Sequence, residues 1–213
     1  MAAHVSMTAS TGANGSAGNV PEPEGTPAQP AGADLTETTI DSTRIYEGKL
    51  LKINVDRVHL PDGSQSAREY VVHPGAVCII ALLPDGRVVL ERQFRYPHHR
   101  AFIELPAGKI DPGEDPLATA QRELREETGY EAAQWRHITT IHPLIAYSDE
   151  RIEMYLATGL TLKKRQLDAG EFLEVFAVAP ADALGWVRDG KITDVKTVIG
   201  LFWLDQIARG EWT

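Results

Sequence analysis

The sequence predicts an α+β protein, rich in strands and sparing in helices, behind a leading segment that does not fold on its own. Three observations carry this. Apolar runs of strand length are separated by Pro-Asp-Gly and Pro-Gly breaks. One helix is marked by capping residues at both ends. Two further helical stretches close the chain.

Taken in order, residues 1 to about 34 are dominated by Ala, Gly, Ser, Thr, Pro and Asn, with no helical or strand period. Such a segment buries too little apolar surface to offset the entropy of ordering it, and residues 1–38 are assigned to a disordered tail. Order is expected from near Ile40. Residues 44–47 and 50–60 read as strands, the second through Leu51, Ile53, Val55 and Val58. Pro61-Asp62-Gly63 is a turn, residues 67–73 form a third strand, and Pro74-Gly75 ends it. Residues 76–83 are a continuous apolar run suited to a buried strand. The Pro84-Asp85-Gly86 turn is expected to return residues 87–96 as its hairpin partner. A helix follows over residues 116–128. Asp115 caps its free N–H groups, Pro116 suits its first position, and Gly129 can take the left-handed conformation that ends it. Strands are expected near 135–141, 152–158 and 173–177, then a helix from Pro180 to near Gly190 and a last one over about 194–209. No internal repeat is present.

The bulk composition narrows the function. Of 213 residues, 43% are hydrophobic and 24% charged, the proportions of a soluble globular protein. A net charge of -9 argues against binding a nucleic-acid backbone, which needs a basic surface. It leaves room for a small phosphorylated substrate, provided metal ions stand between the two sets of negative charge. The lone Cys78, inside an apolar run, excludes an internal disulfide framework or a cysteine zinc site and reads as a core residue. No apolar run is long enough to span a membrane and no secretory leader is evident, so a cytoplasmic location is expected.

The chemistry is concentrated in Gly108-Lys109-Ile110-Asp111-Pro112-Gly113-Glu114 and, further on, Arg122-Glu123-Leu124-Arg125-Glu126-Glu127-Thr128-Gly129-Tyr130. Glu123 and Glu127 are four apart on the expected helix and share a face, with Glu126 beside them. Like charges so placed weaken an isolated helix, and a bound cation reverses that cost. Hard carboxylate oxygens suit Mg²⁺ or Mn²⁺. Charges alone equally allow a solvated acidic face paired with Arg122 and Arg125.

The whole pattern decides between them. Gly108, Glu114, Arg122, Glu123, Leu124, Glu126, Glu127 and Gly129 resemble the Nudix box at its spacing. The strictly typed positions would agree by composition alone on the order of once in 10⁸ windows. Tyr130 stands where the family prefers an aliphatic residue, a slot its ring can fill with the hydroxyl outward. The resemblance runs from about Arg44 to the C-terminus. It is strongest to the ADP-ribose diphosphatase branch, through Glu91-Arg92-Gln93-Phe94-Arg95-Tyr96, Ile103-Glu104-Leu105-Pro106-Ala107-Gly108 and Tyr147-Ser148-Asp149-Glu150. Asp168-Ala169-Gly170-Glu171-Phe172-Leu173-Glu174-Val175 and Asp194-Val195-Lys196-Thr197 fit as well.

The resemblance implies a Nudix α/β/α sandwich over residues 74–213 with a small N-terminal antiparallel β domain, residues 39–73, exchanged between the subunits of a homodimer. It implies hydrolysis of ADP-ribose to AMP and ribose 5-phosphate. Glu123 and Glu127 would be the chief metal ligands, completed by Glu126 and the main-chain carbonyl of Ala107, while Glu114 and Arg122 form an ion pair that holds loop to helix. The water-activating carboxylate would be Glu171, or in second place Glu150. Arg95 would grip the diphosphate, Arg68 would do so across the dimer, and Glu104 would contact substrate or metal. An ordinary surface role is the alternative for each of these loop and strand residues. His98 and His99 lack ligand spacing and receive no metal role. Ile145-Ala146 stands where ADP-ribose diphosphatases often carry Pro-Gly, which keeps GDP-mannose and other nucleoside diphosphate sugars open as substrates. A ligand sensor without turnover is the competing class, although this box keeps every carboxylate. An RNA 5′-end hydrolase is disfavoured by the acidic charge.

Overall fold

The computed structural model describes residues 32–165, 167 and 172–212. The tail expected over residues 1–38 falls largely outside them. The first strand begins at Thr38, and from Thr36 onward the chain forms one unit.

β4 (Ala76–Ala81) organises the molecule. All six of its residues are buried. Successive side chains of a strand point to opposite faces, so an uninterrupted apolar run needs cover on both sides. Ala76, Cys78 and Ile80 face a core that includes Leu105, Met154, Ala183, Leu201 and Leu204. Val77, Ile79 and Ala81 face a second core with Ala120, Leu124, Tyr155 and Leu160. The first core is closed by α2 (Pro180–Arg188) and α3 (Val195–Ala208), the second by α1 (Pro116–Glu123). This is the α/β/α layering that the resemblance implies.

Among the described residues three sheets result. β1 (Thr38–Glu47), β2 (Lys52–His59) and β3 (Gln65–Val72) form an N-terminal antiparallel sheet. β4 lies between β7 (Ala107–Lys109), antiparallel to it, and β9 (Ile152–Leu162), parallel to it. β8 (Tyr130–Ile141) adds to the far side of β9. The third sheet is β10 (Leu173–Val178), β5 (Val88–Arg95) and β6 (Arg100–Glu104). Its register sets Glu91 of β5 opposite Glu104 of β6. Backbone bonds tie the first sheet to the loop before β9. Val71 N–H donates to Tyr147 O, at 2.9 Å, and Asp149 N–H donates to Val71 O.

Two expectations are corrected. β4 and β5 are not a hairpin pair. The bridge Leu82–Val88 and the bonds from Leu83 N–H to Arg87 O and from Gly86 N–H to Leu83 O join their ends at the Pro84-Asp85-Gly86 turn, and the strands then enter different sheets. β5 is buried at Val88, Val89, Leu90 and Glu91, so it too requires cover on both faces, which a hairpin lying open to water does not supply. The helix expected over residues 116–128 keeps its span and changes its pitch: α1 stops at Glu123, and Leu124–Thr128 is a π-helical turn. Such wide turns are rare and concentrate at functional sites. The short strands β6 and β7 and the 3₁₀ turn Tyr96–His98 had no counterpart in the expected elements.

Candidate active site

The helical segment that carries the glutamate turn, Pro116–Thr128, is held at both ends by backbone chemistry. Asp115 accepts hydrogen bonds from the N–H groups of Leu117, at 2.9 Å, and Ala118, at 3.3 Å. Gly129 ends the turn at φ 78, a left-handed conformation in which a side chain is strained.

Arg122 is the hub. Its Nε and Nη2 donate to the two oxygens of Glu114 at 3.0 and 2.9 Å, the forked geometry in which arginine binds carboxylate best. Its Nη1 donates to Glu123 Oε1 at 2.9 Å and to Glu126 Oε2 at 3.1 Å. Thr119 adds a hydroxyl bond to Glu114. The Glu114–Arg122 pair is therefore formed, and it spans from the glycine loop to the helix. The hydrogen bonds from Arg122, then that from Thr119, hold the Glu114 carboxyl down at about 2. The folded-state value is depressed, so this contribution to stability is complete above the ordinary value of 4.5 and is lost as pH falls towards 2.

Glu127 is 5% exposed and accepts the N–H of Ala107 at 3.1 Å. Gly108 runs so close to the turn that a Cβ there would lie 2.0 Å from Cδ and Oε1 of Glu123. Only glycine fits. Among the described residues no three acidic or histidine side chains converge as a metal cage, and the Arg122 guanidinium lies between Glu123 and Glu126. The donor set nevertheless suits a hard divalent cation: carboxylate oxygens of Glu123, Glu126 and Glu127 on one turn, facing main chain kept bare by Gly108.

Beside this turn a cavity of about 480 Å³ is lined by Arg95, Glu104, Ala107, Gly108, Glu150 and Lys196, among others. Arg95 donates through Nε and Nη2 to the two oxygens of Glu104, at 2.7 and 2.9 Å. Burial alone would raise the Glu104 carboxyl. The bond from Arg95 and the charge of Lys196 outweigh it and hold the group below its ordinary value. Glu150 sits at the cavity with His73 Nε2 3.8 Å from its Oε1.

Of the residues singled out in the sequence, Arg95, Glu104, Ala107 and Glu150 therefore share one cavity, Glu127 and Glu123 adjoin it through Ala107 and Gly108, and Glu126 is joined to Glu123 through Arg122. Arg68 is not brought there by its own chain. It lies on β3 and is paired with Glu37. Glu171 lies outside the described residues. His98, given no metal role, lines the cavity, its ring edge-on to Phe102. Cys78 is fully buried and its thiol is pushed up to about 12, chiefly by burial, in agreement with a core role. Sequence reasoning missed Lys196 and Asp194 as parts of this wall. A signal existed: a lysine in the first turn of a helix opposes the helix dipole and calls for a carboxylate partner.

Residues 72–197 match the family described as NUDIX domain, and residues 37–71 match the family described as nucleoside diphosphate sugar hydrolase N-terminal domain. The chain is 41% identical over 172 residues to an ADP-ribose pyrophosphatase of Bacillus subtilis (strain 168), covering 80% of this chain and 93% of that one. It is also 41% identical over 170 residues to a methanol dehydrogenase activator of Bacillus methanolicus, covering 79% and 92%. A crystal structure of an ADP compounds hydrolase superposes with a TM-score of 0.75 at 21% identity, over 84% of this chain and 98% of the other, a likeness of fold. No helix among the described residues is long and apolar enough to cross a membrane.

The contact at Gly108 gives a test. Gly108→Ala should displace the Glu123 carboxylate, the movable end of a partly exposed side chain, and leave the core intact. A displacement of this kind should lower turnover about 10²-fold with little change in melting temperature. Near-wild-type turnover in a folded Gly108→Ala protein would show that the approach of main chain to glutamate has no functional role.

Proposed function

The chain belongs to the Nudix hydrolase family, and from that membership we propose that it hydrolyses the diphosphate bond of ADP-ribose or a related nucleoside diphosphate sugar, giving a nucleoside monophosphate and a sugar phosphate. The observation that carries this is the juxtaposition of three glutamates on one turn with a cavity whose wall includes an arginine. The name of the Bacillus subtilis relative and the family matched by the N-terminal sheet support the substrate class.

In this reading Glu123 and Glu127, with Glu126 and the Ala107 carbonyl, hold divalent cations, Mg²⁺ or Mn²⁺. Bound there, such ions offset phosphate charge and ease deprotonation of water. Everything else is work for the chain's own groups. Arg95 uses two N–H groups on Glu104 and keeps the remainder for phosphate oxygens. A carboxylate orients the attacking water and takes its proton as the new O–P bond forms and the bridging P–O bond breaks. Glu171 is the first candidate and Glu150, at the cavity wall, the second. We locate this activity in the cytoplasm.

A screen of nucleoside diphosphate sugars, GDP-mannose included, tests the substrate class. GDP-mannose is included because Ile145, at the departure from Pro-Gly, is 84% exposed beside cavity-lining Leu144. ADP-ribose should be cleaved to AMP and ribose 5-phosphate, and chelator should stop the reaction. Glu127→Gln should fold normally and lose several orders of magnitude in turnover. Cleavage that survives both chelator and Glu127→Gln would refute the reading.

Assembly is part of the same proposal. β1 is exposed along all ten residues, with Ile45 and Tyr46 more than half exposed. A three-stranded sheet so bare is marginal alone, and a second copy would cover it. Arg68, absent from its own chain's cavity, would then serve the neighbouring site. Arg68→Ala and Glu127→Gln should each disable homodimers. Refolded together, the two should recover up to about a quarter of wild-type activity, because each mixed dimer has one site with both groups intact. Confirmed mixed dimers without recovery, or a monomer by light scattering, would end the shared-site idea.

A further inference from the structure

The first turn of α3 carries a lysine in a costly place. Lys196 is the second residue of the helix, at the end where the dipole disfavours a cation, and its side chain is 11% exposed. It is held by two carboxylates. Nζ donates to Glu104 at 2.5 Å and to Asp194 Oδ2 at 2.9 Å. The same Asp194 oxygen accepts the N–H of Thr197 at 3.0 Å and its hydroxyl at 2.7 Å, and the Thr197 oxygen accepts the N–H of Leu105 at 2.8 Å. Arg95, Glu104, Lys196, Asp194, Thr197 and Leu105 thus form one continuous chain of polar contacts from the cavity to the helix cap.

Folding alone gives little reason for this lysine. A buried ion pair is often no more stable than an apolar pair of the same volume, whereas a buried charge stripped of its partner is strongly unfavourable. Glu104 is 3% exposed and stands opposite Glu91, a second buried acid, on the neighbouring strand. With Lys196 present, Glu104 holds its charge and both its oxygens are committed. Arg95 is then locked across them in one bidentate orientation. Its Nη1, which has no protein acceptor among the described residues, remains on a side chain 41% exposed at the cavity.

We propose that Lys196 is a positioning residue for substrate binding: through Glu104 it fixes the Arg95 guanidinium with its open N–H edge presented to the phosphates. This rests on the diphosphatase reading. Lys196 lines the same cavity, but its Nζ is committed to Glu104 and Asp194, so it acts on the phosphates through Glu104 and Arg95.

The test uses the full chain with Mg²⁺ and two readouts: the Kd for ADP by calorimetry, and kcat and KM for ADP-ribose. Lys196→Met should raise the ADP Kd and the ADP-ribose KM about 10-fold and leave kcat within about threefold, the pattern expected when ground-state and transition-state binding fall together. In an Arg95→Ala background, Lys196→Met should add no further loss of ADP affinity, because its effect travels through that arginine. Lys196→Met should also lower the melting temperature. The double variant Glu104→Gln/Lys196→Met should regain the melting temperature without regaining affinity, which separates positioning from folding and supplies a folded protein if the single variant fails. Equal ADP affinity in wild type and Lys196→Met, a loss that adds in full to that of Arg95→Ala, or affinity that returns with stability in the double variant would overturn the proposal. Any of these results, with a wild type that binds ADP, overturns this inference alone. A wild type that neither binds ADP nor cleaves ADP-ribose removes the functional reading and this inference with it.

Discussion

One guanidinium, that of Arg122, binds three glutamates of the site at once. Glu123 and Glu126 on one turn, with Glu114 brought against them from the loop before the helix, would otherwise repel, and each would seek water. Arg122 sits among them and saturates two directions together: the forked bond to Glu114 ties down the glycine loop, and Nη1 gathers Glu123 and Glu126. Because the loop is tied, Gly108 is pressed against Glu123 and the Ala107 N–H reaches Glu127. A lysine, a point charge without the planar fork, could not make these contacts in parallel.

The apolar interior makes this arrangement rigid. β4 is buried on both faces, and its pairing with β7 carries Ala107 and Gly108 along its edge. Leu105, fully buried, anchors the chain just upstream and is bonded through its N–H to Thr197 of α3. The glutamate turn is fixed from the other side by Ala120 and Leu124 in the second core. Two cores that share one strand thus hold the two halves of the site, the carboxylate turn and the arginine wall, against each other.

What the sequence made legible follows the range of the interactions concerned. The box is a local pattern of spacing, and its glutamates and its Asp115 and Gly129 ends came from neighbours in the chain, while the Glu114–Arg122 pair came from the resemblance. The strands β4, β8, β9 and β10 were legible from apolar content alone, with limits off by a few residues. Partners were harder. Pro84-Asp85-Gly86 is a turn signal, but whether the strands it joins pair with each other depends on distant segments, and here β7, β9, β6 and β10 took the available edges. β6 and β7, five and three residues long, are too short to show a period. The π-helical pitch of Leu124–Thr128 leaves no mark in a pattern written for α-helix. Lys196 was passed over because its partner Glu104 lies 92 residues away in sequence. The acid favoured for activating water, Glu171, falls outside the described residues, so its part rests on resemblance.

In the proposed function the Leu124–Thr128 turn and Glu123 serve as a cation site as well as an ion-paired surface. Titrating the protein with Mn²⁺ and following free metal by electron paramagnetic resonance tests that without reference to any substrate. Wild-type protein should take up Mn²⁺ at saturable sites, and a Glu123→Gln/Glu127→Gln variant with an unchanged circular dichroism spectrum should bind it at least about 10-fold more weakly. Equal Mn²⁺ affinity in the two proteins would contradict the account, because the carboxylates would then belong to Arg122 alone.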